Sequence, residues 1–221
     1  MKVIILHGWG QNKEHWRTLA EKLGNNVTCL DLPGFGQEKI VDNNWGVPEY
    51  AKWVENQIKD YKSVILIGHS FGGRITTEIA GKRPNYLKAI VLSGSPSIYR
   101  PTLSTRLKIF VSKFGKFIIP YKLKMYLLPK DLRKAVNRDL EKTFKKVVMY
   151  DQTKQLNNIT IPTLLIWGSD DKIVPIKIAH EINRLVKNSN LKIIDKAGHN
   201  SFLDNPNLFY SYVKKFVESV K

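Results

Sequence analysis

Short apolar runs alternate along the chain with stretches whose apolar positions recur every three to four residues. The runs are Val3–Leu6, Val27–Leu30, Val64–Ile67, Ala89–Leu92, Thr163–Trp167 and Leu191–Ile194. They are rich in β-branched residues and leucine and lack clean polar alternation, the pattern of strands buried on both faces of a parallel sheet. Helical spacing predicts helices near 12–23, 48–60, 73–82, 176–187 and 206–219. Strands and helices in alternation predict a doubly wound α/β domain with a mostly parallel sheet. Ligands of such sheets bind beyond the carboxyl ends of the strands, so the residues just after each run carry the information.

One stretch interrupts the alternation. Leu103, Leu107, Phe110, Val111, Phe114, Phe117 and Ile118 fall at helical spacing, and Pro120 and Pro129 then break the pattern. Asp131 has the character of an N-cap for a helix through Leu132, Val136, Leu140, Phe144, Val147 and Val148. The expected organisation is therefore a core built from residues 1–96 and 158–221, with a helical insertion at 97–157.

Composition narrows the class. A chain with 43% hydrophobic and 25% charged residues is neither disordered nor fibrous. The single cysteine, Cys29, cannot form an internal disulfide. No apolar run approaches the ~20 residues of a membrane span, and the opening MKVIILHG is too short for a secretory signal. A cytoplasmic protein that does not cross a membrane is expected.

Charge first suggests a nucleic-acid partner, because 36 Lys and Arg face 19 Asp and Glu, a net charge of +17. Its distribution argues otherwise. Residues 1–96 and 158–221 each carry a net +3, whereas 97–157 carries 15 basic against 4 acidic residues, a net +11. The excess belongs to the insertion, and no nucleic-acid-binding motif accompanies it. A solvated helix face, or recognition of an acidic carrier protein or an anionic surface, accounts for it better.

The chemistry follows the runs. After the third comes Gly68-His69-Ser70-Phe71-Gly72-Gly73, a G-x-S-x-G between a strand and a helix. A serine on so sharp a turn needs tiny neighbours, and the next N–H opens a helix, where it can stabilise an oxyanion. A serine hydroxyl needs a base, and the base needs a group that holds its tautomer. Trp167-Gly168-Ser169-Asp170-Asp171-Lys172-Ile173-Val174-Pro175 supplies two carboxylates past one strand, and Ala197-Gly198-His199 supplies an imidazole past the next. His7-Gly8-Trp9-Gly10 offers a second backbone N–H. No cysteine pair or histidine spacing suggests a metal site, and no cofactor is expected.

Together HGWG (7–10), DLPGFG (31–36), GHSFGG (68–73), WGSDDKIVP (167–175) and AGH (197–199) resemble the α/β-hydrolase superfamily over nearly the whole chain outside the insertion. HGWG with DLPGFG is most similar to the carboxylesterases that include pimeloyl-acyl-carrier-protein methyl ester esterase. The resemblance implies an α/β-hydrolase fold with a helical cap at the insertion, and a serine esterase acting through an acyl-enzyme. It implies Ser70 as nucleophile, His199 as base, and the Trp9 and Phe71 amides as oxyanion hole. The family's D-x-[IV]-V-P register implies Asp171 rather than Asp170 as the acid. His7 would brace the oxyanion loop, and Asp31 would serve a structural turn. The side chains of Trp9, Phe71, Phe110 and Phe114 are candidates to line the substrate pocket.

Family members commonly begin with antiparallel strands that this chain lacks, so a reduced sheet of about six strands is expected. The insertion matches no particular cap, so substrate choice does not carry over. The same triad could serve C–C bond, lactone, perhydrolase or acyl-transfer chemistry, or survive in a catalytically silent binding protein.

Overall fold

The computed structural model describes residues 1–100 and 140–220. Six parallel strands form one sheet: β1 (Lys2–Leu6), β2 (Val27–Leu30), β3 (Val64–His69), β4 (Leu87–Ser93), β5 (Thr163–Gly168) and β6 (Ser189–Ile194), in the order β2-β1-β3-β4-β5-β6. All six apolar runs became strands. Except in β2, an end reaches one or two residues further than the apolar pattern where neighbours continue the ladder, as at His69 and Ser93.

Between and after the strands lie α1 (Arg17–Leu23), α2 (Val47–Ile58), α3 (Phe71–Gly81), α4 (Glu141–Met149), α5 (Thr153–Asn158), α6 (Ile176–Leu185), α7 (Ser201–Asp204) and α8 (Pro206–Ser219). The helix expected at 12–23 is a 3-10 turn at Lys13–Trp16 running into α1. Asn12 caps that turn, its side chain accepting from the Glu14 N–H. α3 begins at Phe71, two residues before the expected start, because Gly72 and Gly73 are helical here.

Alternate strand residues divide between two cores. Ile4, Leu6, Leu66, Ile90, Leu92 and Trp167 pack against α2, α3 and α6. Val3, Ile5, Ile65, Ile67, Val91 and Ile166 pack against Trp16, α1 and α8 on the other face. From α8, Phe209, Val213 and Val217 enter this second core at helical spacing, each burial stabilising by about 1.5–3 kcal/mol.

Within the described part of 97–157, Leu140 and Val147 join the first core and Phe144 packs against it. Leu140 flanks the N-terminus of α4, and the short α5 follows without a periodic pattern long enough to announce it. Arg74 of α3, buried at 3% exposure, donates to the carbonyls of Tyr150 and Val148 at the end of α4. Burial pushes its guanidinium pKa down to about 10. The candidates Phe110 and Phe114, the expected helix over 103–118 and the Asp131 cap lie outside the described residues.

Candidate active site

The chain changes direction across the sheet between β1 and β3, the place where a doubly wound sheet opens a crevice. The loop after β1 and the turn after β3 meet there. Ser70 stands on that turn with φ 50° and ψ −110°, a strained backbone for a residue with a side chain. Its N–H donates to the Ser93 carbonyl at 2.9 Å, which holds the turn against β4. Only glycine fits on either side. A β carbon at Gly68 would lie 2.5 Å from the Gly72 carbonyl oxygen, and one at Gly72 would lie 2.2 Å from that of Leu6.

His199 follows β6 and Asp171 follows β5, and both reach Ser70's side of the sheet. His199 Nε2 lies 3.0 Å from Ser70 Oγ, and Nδ1 lies 2.8 Å from Asp171 Oδ2. The other Asp171 oxygen accepts from the Ile173 and Val174 N–H groups at 2.9 and 2.8 Å, so the carboxylate is fixed and buried. Asp170 is exposed, and its carboxylate accepts from the Ser169 hydroxyl. The two adjacent acids thus point differently, and Asp171 is the one facing the imidazole.

The amides near Ser70 are divided between structural use and availability. Gly8 N–H donates to Gln11 Oε1 at 3.0 Å and Gly72 N–H to the His7 carbonyl at 3.1 Å. Among the described residues, the Trp9 and Phe71 N–H groups donate to no partner. His7 sets the direction of the first. Its Nε2 accepts from the Leu32 N–H at 3.0 Å, so its proton sits on Nδ1 and is donated to the Gly8 carbonyl at 2.8 Å. Gln11 N–H reaches the same carbonyl at 3.1 Å. In a trans peptide the N–H points opposite to the C=O, so two donors on the Gly8 oxygen aim the Trp9 N–H the other way. Burial lowers the His7 pKa to about 4, keeping the ring neutral. Asp31 holds the neighbouring loops, accepting from the Lys13 and Gln37 N–H groups at 2.7 and 3.0 Å.

A cleft of about 330 Å³ opens beside these groups, lined by Trp9, Gln11, Ser70, Ile173, His199 and Leu203 among others. Trp9 therefore borders it. Phe71 does not: its ring is 2% exposed and packs against Trp9, Phe35 and Tyr50. Trp9 also meets Phe35 and Phe144 edge to face, each with centroids 5.0 Å apart, so α4 supports the Trp9 ring from behind. Among the described residues no group of three or more His, Cys, Asp or Glu side chains is placed to hold a metal ion. Nor is any described helix long and apolar enough to cross a membrane.

A wholly parallel, doubly wound sheet with a strained serine turn at its switch point defines an α/β protein of the hydrolase plan. The profile of the alpha/beta hydrolase family matches residues 3–211, and the chain belongs to that family. Among curated proteins it is 27% identical to pimeloyl-[acyl-carrier protein] methyl ester esterase of Neisseria meningitidis serogroup B, over 98% of this chain and 93% of that one. The protein of the same name from Salmonella newport is 26% identical over 94% and 90%. Among solved structures, an esterase from Exiguobacterium antarcticum superposes with a TM-score of 0.76 at 19% identity, covering 99% of this chain and 92% of its own. An alpha/beta hydrolase from a Medee basin deep-sea metagenome library gives 0.77 at 20% identity, covering 100% and 90%. Identities this low speak for the fold alone.

Proposed function

We propose that this carboxylic ester hydrolase works through an acyl-enzyme on Ser70. The observation that carries the reading is the continuous hydrogen-bonded path from Ser70 Oγ through His199 to the buried Asp171, with two undonated amides beside the hydroxyl. Ser70 Oγ attacks the ester carbonyl carbon as His199 Nε2 takes the hydroxyl proton. The oxygen that becomes negative is held by the Trp9 and Phe71 N–H groups, while Asp171 stabilises the imidazolium. Collapse breaks the ester C–O bond, and the leaving alcohol departs with the proton from His199. Water then gives its proton to His199, attacks the acyl-enzyme and releases the acid, and Ser70 recovers its proton.

Residues 97–157 are assigned as the cap over this site, which Phe144 already reaches at Trp9. The substrate class that suits this cap is an acyl ester borne by an acidic carrier protein. Two relatives name an acyl-carrier-protein ester as their substrate, and the net +11 of 97–157 would suit a carrier that is acidic.

Replacing Ser70 by Ala is expected to lower turnover of a p-nitrophenyl ester at least ~10³-fold without changing the melting temperature. Retained turnover would end the assignment. For the carrier, raising salt should slow an ester on an acidic carrier protein far more than a small neutral ester. Equal salt sensitivity would remove the carrier from the proposal and leave the esterase.

A further inference from the structure

We infer that Gln11 and Asn200 are positioning residues that lock the oxyanion loop, the serine turn and the base loop into one unit; this rests on the mechanism proposed above. The two residues stand 189 positions apart, yet Gln11 Nε2 donates to Asn200 Oδ1 at 3.1 Å.

Direction in this network is fixed from one end. Gly8 N–H can only donate, so Gln11 must turn Oε1 toward it, at 3.0 Å. That leaves the Gln11 amide nitrogen for Asn200, and Asn200 must present its oxygen. The same Asn200 oxygen lies 3.2 Å from Nε2 of His69, a fully buried ring that also reaches the Ser93 carbonyl at 3.1 Å. Burial, with His199 nearby, lowers the His69 pKa to about 3; the neutral ring donates to one of these two oxygens.

Each member adjoins a reacting group in sequence. Gly8 precedes Trp9, whose N–H is the proposed oxyanion donor. His69 precedes Ser70, and Asn200 follows His199. The Gln11 backbone N–H also binds the Gly8 carbonyl, so this one residue grips both faces of the segment that aims the Trp9 amide. Asn200 in turn opens α7, its carbonyl accepting from Leu203 at 2.7 Å and Asp204 at 3.1 Å, which ties the network to a folded element behind the imidazole. The Asn200 side-chain oxygen thereby joins the oxyanion loop to the base loop and lies against His69, the residue before the nucleophile. Transition-state stabilisation depends on the spacing of oxyanion hole, nucleophile and base to about an ångström, whereas ground-state binding depends on it little.

The test is a double-mutant cycle of Gln11→Ala and Asn200→Ala on a short-chain p-nitrophenyl ester, with melting temperatures and fluorophosphonate labelling of Ser70 measured alongside. Each single variant is expected to lose about tenfold or more in kcat with KM changed less than about twofold. The double variant is expected to lose no more than the worse single, because either change opens the same network. Asn200→Asp, which keeps the accepting oxygen, is expected to exceed Asn200→Ala in kcat, and this comparison holds if the alanine variant melts early. Wild-type kcat in either single, a loss confined to KM, or losses that multiply in the double would overturn the inference. Those outcomes, in a wild type that labels at Ser70 and hydrolyses the ester, leave the mechanism standing. A wild type that neither labels nor hydrolyses overturns both.

Discussion

His7 and His69 are buried, neutral rings beside the serine turn, and their effect on acid stability can be worked through. The perturbation is a drop from pH 7 to pH 5. In the unfolded chain each ring takes up a proton near its ordinary pKa of 6.5, whereas burial holds the folded rings off until about 4 and about 3. The unfolded state therefore binds more protons across this interval, and folding stability falls as pH falls. The contribution is intact above about 6.5 and is lost progressively toward the folded pKa values. At pH 5 the unfolded pKa dominates the loss, so each ring costs about 2 kcal/mol and the pair about 4 kcal/mol.

The assay is urea unfolding followed by tryptophan fluorescence at pH 7.0 and 5.0. The control is His7→Gln, which offers one acceptor for Leu32 N–H and one donor for the Gly8 carbonyl but carries no charge at either pH. The variant should show a pH dependence smaller by about 2 kcal/mol than the wild type. If wild type and variant lose the same stability on acidification, the buried neutral ring is not the cause and the reasoning fails.

Two further outcomes can be measured. Asp171→Asn should reduce kcat by about 10³–10⁴-fold because the asparagine cannot hold the imidazole in its tautomer or stabilise its charge; Asp170→Asn, at an exposed carboxylate, should stay within about twofold. Matching losses at the two positions would contradict the assignment of roles. Gly72→Ala would drive a β carbon to 2.2 Å from the Leu6 carbonyl and should destabilise the fold by at least about 1–3 kcal/mol in denaturant unfolding. A wild-type midpoint would show that β1 and α3 can separate.

The sheet was legible because strands buried on both faces cannot alternate with polar residues, and runs such as Val64–Ile67 admit little else. The ends were less so, since Ser93 belongs to its strand through backbone pairing with His69, which no side chain announces. The start of α3 was two residues early, at Phe71 rather than 73, where the close approach of Leu6 to Gly72 and of Ser95 to Gly73 leaves no room for a side chain. Ser70, Asp171 and His199 were legible because each stands just beyond a strand in a recognisable spacing. The network of Gln11, Asn200 and His69 left no local signal, because its partners meet only when three loops do. Phe35 and Phe144, which pack against Trp9, were likewise hidden by their distance along the chain.

The join between β4 and β5 has a consequence for how this fold can diversify. These neighbours pair along the sheet although one ends at Ser93 and the other starts at Thr163. Closing so long a connection rather than a six-residue one adds only about 2 kcal/mol of chain entropy, because the penalty grows as the logarithm of length. Lengthening, shortening or replacing sequence there is thermodynamically inexpensive, provided that Leu140, Val147 and Leu156 keep their seats in the core. Selection can then rework this connection while the folding stability of the sheet stays nearly constant. Grafting another connection between Ser93 and those anchors would show whether this segment has any part in substrate preference.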